Sequence, residues 1–274
     1  MGPDSLLTAF GAAPSFLGFS LWLLGGAGVY LALVAGIKAR TTAAADGPTR
    51  TFGLPEAILA ALLISFLLLN INASFAHPSV ELNSRNLLPN LLVTVFVVLV
   101  VVTFLQLRGF DLGSLGGFFR ISFIRAVVTG AALLFFAYPL IGVTEIITQR
   151  LFGTGSSRQS VVELFSASPT IRQRIMIIVF AVAIAPVVEE FLFRFFLYGV
   201  FRRYFGRFIG TVANALLFAA AHTHLPSFAP LFVLGSCFTL AYEWSRSILV
   251  PMTMHSLFNA VTLTVLAFPE LVPQ

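Results

Sequence analysis

Charge is scarce in this chain. Asp, Glu, Lys and Arg make up 10% of its 274 residues, where a soluble domain has about 25%, while 58% are hydrophobic and the mean hydropathy is +0.97. So little charge excludes an ordinary water-soluble surface and implies an integral membrane protein. The short alternating strands of a membrane β-barrel are missing as well. That leaves α-helices, which satisfy their own backbone hydrogen bonds in lipid and need about 20 apolar residues to cross it. There is one cysteine, Cys237. It excludes an intramolecular disulfide and says nothing of the redox compartment. Met1 to Ser5 carry none of the positive charge that opens a cleaved leader, so the first apolar run is expected to stay as a span. The formal charge of +5 comes from basic residues scattered through connecting segments. Scatter of this kind fits membrane orientation and argues against nucleic acid as a partner.

Apolar runs broken by charge, Gly and Pro predict eight helices in one polytopic all-α bundle: Ser15 to Ile37, Leu54 to Phe75, Leu88 to Leu107, Ile121 to Ile147, Ile175 to Phe201, Phe208 to His222, Ser227 to Tyr242 and Leu249 to Phe268. Pro226 marks a sharp hairpin between the sixth and seventh. Lys38 to Phe52 and His77 to Arg85 read as polar loops. Between Gln149 and Arg174, Gly153, Gly155, Ser156 and Ser157 suggest a flexible turn, and Val161, Val162, Leu164 and Phe165 a short amphipathic helix. Eight spans put nine basic residues on the side of the first, third, fifth and seventh loops and five on the other. The positive-inside rule then places both termini outside a cell membrane. Residues 1–274 form one integral membrane domain, with 1–148 as scaffold helices and 149–274 holding nearly all the candidate chemistry.

That chemistry is a set of polar groups inside apolar stretches: Glu189, Glu190, Arg194, His222, His224, Glu243, His255 and Asn259. Charge in a bilayer span costs a few kcal/mol or more per residue, so intramembrane carboxylates are functional by default. Glu189, Glu190 and Arg194 form an E-E-x-x-x-R pattern. At 100° per residue Glu190 and Arg194 are ~40° apart, and Glu189 and Arg194 ~140°. Glu190 is therefore expected to pair with Arg194 and support the site, leaving Glu189 free to face a polar cavity as a general base. Phe218 and His222 stand one helical turn apart in the sixth helix, as do His255 and Asn259 in the eighth, where both could donate to one oxygen. Counted at 1.5 Å per residue, Glu189 lies ~18 Å deep, His222 ~21 Å, His255 ~10 Å and Asn259 ~15 Å. All four fall in one slab of the membrane, which favours a shared polar cavity. A lone buried histidine is more often a core residue; matching depth reverses that reading for His222 and His255. His224 reads as interfacial, and Glu243 as a helix-end ion pair with Arg246.

These three motifs, E-E-x-x-x-R at Glu189 to Arg194, F-x-x-x-H at Phe218 to His222 and H-x-x-x-N at His255 to Asn259, resemble the type II CAAX prenyl protease family, the Ras-converting-enzyme-like or CPBP/Abi intramembrane proteases. The stretch Tyr242 to Ile248, with Pro251, resembles it too. The resemblance implies an eight-helix glutamate-type intramembrane endopeptidase acting on a membrane-associated or lipid-modified protein or peptide. It implies Glu189 as the base that activates water, His222 as a holder of that water, His255 and Asn259 as the oxyanion hole, and Glu190, Arg194 and Phe218 in support.

Two other functions fit such groups: a non-catalytic membrane scaffold or bacteriocin-immunity protein, and a proton-coupled transporter using Glu189 as a relay. The transporter is less favoured, because matched halves are missing. Glu189, His222 and His255 could also hold zinc with an open position. No H-E-x-x-H motif is present, and Arg194 would repel a cation. A metal-free site is the reading favoured.

Overall fold

In a computed structural model, residues 16–43, 51–76, 84–152, 165, 168 and 170–268 are described. Among them every regular element is helical. Long apolar runs give α1 (Phe16–Ala43), α2 (Leu54–Ala76), α3 (Ser84–Leu107) and α5 (Phe123–Phe152), with a short α4 (Leu112–Gly116) between α3 and α5. A continuous stretch follows, comprising α6 (Ile171–Val179), a π-helical turn (Phe180–Ile184), α7 (Ala185–Glu190), a second π-helical segment (Phe191–Leu197) and α8 (Tyr198–Ala221). A 3₁₀ turn at Leu225–Ser227 leads into α9 (Phe228–Ser245) and then α10 (Leu249–Ala267).

Six segments are long and apolar enough to cross a membrane, by length and composition, and Leu249–Val265 is a shorter apolar helix. The fifth of the six, Ile171–Ala221, has 51 residues. Straight, it would measure roughly 76 Å, more than twice the ~30 Å hydrocarbon core. Gly206 breaks it, with φ 78° and ψ 174°. Only glycine adopts that conformation readily. The fifth and sixth helices read from the sequence are thus two limbs of one stretch, and the described residues hold eight long helical limbs. The chain is a multi-pass integral membrane protein.

Burial follows the membrane rule rather than the aqueous one. Leu62, Leu69, Phe96 and Phe208 are exposed on the outside, while one apolar cluster runs from Tyr30, Leu63, Leu105 and Leu133 through to Phe196, Phe218, Phe238 and Met254. The front helices are bolted to the rear ones by polar contacts at few points. Arg40 of α1 donates to the Trp244 carbonyl of α9 at 2.7 Å, while within the front half Tyr30 of α1 donates to the Leu133 carbonyl of α5 at 3.0 Å. α5 meets α10 at Gly130, where a Cβ would lie 2.9 Å from the Thr253 side chain.

Several local readings change. α1 continues through Lys38 and Arg40 to Ala43, so the first polar loop starts later than its charges suggest. α4 is capped by Asp111, whose carboxylate accepts from the Gly113 N–H at 3.0 Å. Glu243 does not use Arg246, which closes α9 in the left-handed region at φ 55°. It pairs instead with Arg202 and, at 3.0 Å, with Arg207, because the Gly206 break folds those arginines back onto α9. The expected turn at 153–157 and the amphipathic helix around 161–164 lie outside the described residues, as does most of the loop from 77 to 85.

Candidate active site

The site is built on the stretch between the two π-helical turns. Pro186 lacks an N–H and its ring crowds the carbonyl four residues back, which weakens α-helical spacing around it. The widened turn Phe180–Ile184 sits just ahead of it, and the second follows Glu190 directly. π turns hydrogen-bond i to i+5 and recur at functional sites. They also alter the angular reading made from an ideal helix. In a π turn the residue five positions on is nearly in line, so Arg194 comes within electrostatic reach of both Glu189 and Glu190.

The two carboxylates nonetheless have different surroundings. Glu190 and Arg194 have no exposed side-chain surface, and the Arg194 Nη1 donates to Glu190 Oε1 at 3.0 Å. The guanidinium also lies 4.2 Å from the centre of the Phe218 ring and 5.1 Å from that of Phe238. Aromatic faces attract a cation most where water is excluded. Its Nη2 donates to the Gly235 carbonyl at 3.4 Å, across to α9. Glu189 keeps 29% of its side chain exposed, and its Oε2 takes no hydrogen bond from the protein among the described residues. The division read from the sequence holds: Glu190 belongs to the arginine, and Glu189 is the open carboxylate.

His255 on α10 joins the two. Its Nδ1 lies 2.8 Å from Glu190 Oε1, and its Nε2 lies 3.9 Å from Glu189 Oε2. A carboxylate at Nδ1 makes that nitrogen the donor and points Nε2 toward Glu189. Phe238 stacks on the imidazole, with ring centres 5.2 Å apart. His222, at the end of α8, bonds through Nδ1 to the Phe218 carbonyl at 2.8 Å, so its Nε2 is the nitrogen left for other work. It is close enough to Glu189 and His255 to feel their charge. Phe218 lies between the imidazoles, 4.7 Å from His222 and 5.8 Å from His255, with Arg194 on its face.

The structure thus brings Glu189, Glu190, Arg194, Phe218, His222 and His255 together. Asn259 is placed otherwise. Its amide donates to the Ala181 carbonyl at 2.7 Å, inside the first π turn. His224 bonds Ser227 at 2.8 Å and stays at the hairpin. The contact of His255 with Glu190 spans 65 positions, and spacing carries no signal of it. Glu56, fully buried and paired with Arg108 at 2.9 Å, also escapes a reading centred on the rear half. An acid three residues after Gly53, whose N–H donates to it at 2.6 Å, is the local signal that was there to find. Among the described residues, no three His, Cys, Asp or Glu side chains are arranged to hold a metal ion. Of the candidate zinc ligands Glu189, His222 and His255, the last has its Nδ1 bonded to Glu190 and only Nε2 turned toward Glu189.

The fold and cluster define a polytopic helical membrane protein with an internal Glu-Arg-His site. Residues 171–261 match the family described as type II CAAX prenyl endopeptidase, Rce1-like. The rear of this chain is therefore similar to that family, and the resemblance carried by the three motifs is borne out. The chain is similar to the membrane-embedded CAAX protease MroQ of Staphylococcus aureus (strain USA300), 31% identical over 47% of this chain and 54% of that protein. It is also similar to the putative membrane peptidase YdiL of Bacillus subtilis (strain 168), 25% identical over 60% of this chain and 66% of that one. The chain thus spans less than two thirds of either relative. No solved structure matches at a significant level.

Proposed function

We propose that this protein is an intramembrane endopeptidase that hydrolyses a peptide bond in a membrane-associated or lipid-modified protein or peptide. The observation that carries the reading is the split of two adjacent acids: Glu190 is consumed by Arg194 and His255, while Glu189 is partly exposed, with a buried Oε2 that takes no hydrogen bond among the described residues and lies 3.9 Å from a histidine nitrogen. The names of the two relatives support the same class of activity.

Peptide hydrolysis needs a base for the water and a donor for the developing oxyanion. Glu189 takes the proton of a water held between it and His222 Nε2 as the water oxygen adds to the scissile carbonyl, and returns that proton to the leaving amine as the C–N bond breaks. The bond between Nδ1 and Glu190 orients His255 and presents its Nε2 to the reacting carbonyl. His255 then serves as the oxyanion donor, a contribution typically worth about 10² to 10³ in rate. Asn259 reaches the same work indirectly, by holding the π turn that sets Glu189 in place.

The test is cleavage of membrane peptides by the purified chain and by Glu189→Gln and His222→Ala. Both substitutions abolish cleavage while the melting temperature in detergent stays near the parent's. Chelators leave the activity unchanged. A Glu189→Gln protein that still cleaves would sink the reading, and one that retains the cellular role without cleaving points to a scaffold or immunity protein.

A further inference from the structure

A cavity of about 780 Å³ is lined by none of Glu189, His222 or His255. Its walls come from element ends: the last turns of α1, the chain entering α2, the loop and α4 between α3 and α5, the Gly206 break, and the end of α9. Six arginines line it, Arg40, Arg120, Arg202, Arg203, Arg207 and Arg246, against the carboxylates of Asp111 and Glu243. Arg202 and Arg207 share Glu243, and Asp111 is engaged as the cap of α4. Arg120, Arg203 and Arg246 have no ion pair among the described residues. Like charges gathered in one concave site repel each other, and an anion placed among them removes that cost.

We propose that this arginine-lined cup binds the phosphate of an anionic phospholipid headgroup. Guanidinium forks match phosphate oxygens in pairs, and the cavity falls in the range of about 300 to 1,000 Å³ typical of ligand sites. A free phosphate shares that chemistry. The surroundings favour a lipid: Phe119 (93% exposed), Tyr204 (48%), Phe205 (57%) and Phe208 (81%) neighbour Arg120, Arg203 and Arg207 in the chain. An exposed tyrosine such as Tyr204 suits the headgroup level, the exposed phenylalanines beside it suit acyl chains, and basic pockets between membrane helices take anionic headgroups. The Gly206 break presents Arg203 and Arg207 from either side of one sharp bend, and Arg246 is held in a left-handed turn packed on Gly117.

The experiment measures lipid retained by the full chain in native mass spectrometry, with phosphatidylglycerol and phosphatidylcholine of the same acyl chains. Phosphatidylglycerol is retained threefold or more over phosphatidylcholine, and the Arg120→Gln/Arg203→Gln/Arg246→Gln variant loses that preference. If the triple variant proves poorly folded, Arg203→Gln alone, at an exposed position, shows a reduced preference. Equal retention of the two lipids, or full preference in well-folded variants, overturns the proposal. Inorganic phosphate raising the melting temperature as much as the phospholipid assigns the cup to a soluble anion and overturns the lipid assignment. Because the readout is binding, a failed peptidase reading leaves this result standing, and the reverse also holds.

Discussion

At the scale of single residues, two neighbouring glutamates do opposite things, and substitution separates them. Glu190→Leu leaves the Arg194 guanidinium buried and uncompensated, which costs about 3–5 kcal/mol. The double variant Glu190→Leu/Arg194→Leu removes both charges and unfolds at a higher temperature than Glu190→Leu alone. Glu189→Gln, with its side chain partly open, shifts stability by less than about 1 kcal/mol while abolishing cleavage. Thermal unfolding in detergent beside a cleavage assay checks all three; a Glu189→Gln protein as unstable as Glu190→Leu contradicts the assignment. The sequence shows the Glu190–Arg194 pair because four residues make one helical turn. It cannot show that His255 completes the pair, since a contact between distant helices depends on how they pack. Arg246 fails for a related reason. The spacing permits a bond to Glu243, but the left-handed turn takes the arginine away and Arg202 and Arg207 arrive from the neighbouring limb.

At the scale of elements, the long apolar runs are legible because lipid requires them, whereas their irregularities are not. Reading 100° per residue through Glu189 to Arg194 assumes an α-helix, and the π segment Phe191–Leu197 breaks that assumption. Pro186 is the one sequence signal beside the first π turn. Asn259 braces that turn through the Ala181 carbonyl, so Asn259→Leu, leaving a carbonyl without its donor, costs about 1–3 kcal/mol. Hydrogen exchange rises through 180–186 in that variant. Were Asn259 only an oxyanion donor, turnover would fall with exchange and melting temperature unchanged. Gly206 gives a second prediction at this scale. A Cβ there meets nothing within 4 Å, yet φ 78° and ψ 174° exclude other residues. Gly206→Ala is expected to cost about 1–3 kcal/mol through backbone strain alone, and a variant with the parent's melting temperature counts against the break.

At the scale of the whole molecule, the sequence divides the chain into a quiet front and a chemical rear, and the packing argues that neither stands alone. The rear helices α10 and α9 cover most of the packed surface of α5, and α9 also packs on α1. Tyr138 of α5 stacks on Phe258 beside Asn259, with ring centres 6.1 Å apart, and Trp244 is held by Arg40 of α1. The apolar cluster that encloses Arg194 also includes Leu33 of α1 and Leu134 and Ile141 of α5. Removing the front would leave Glu190 and Arg194 on a bundle open to lipid on one side, where a buried ion pair costs more than it returns. Residues 149–274 produced by themselves are therefore expected to yield no monodisperse species in detergent, while the full chain does. Supplying 1–148 as a separate polypeptide in the same membrane is expected to restore a folded complex, because helices that have already inserted associate through packing. Size-exclusion chromatography and cleavage activity read both outcomes. A rear fragment that folds and cleaves unaided would show that the front half holds nothing the site needs.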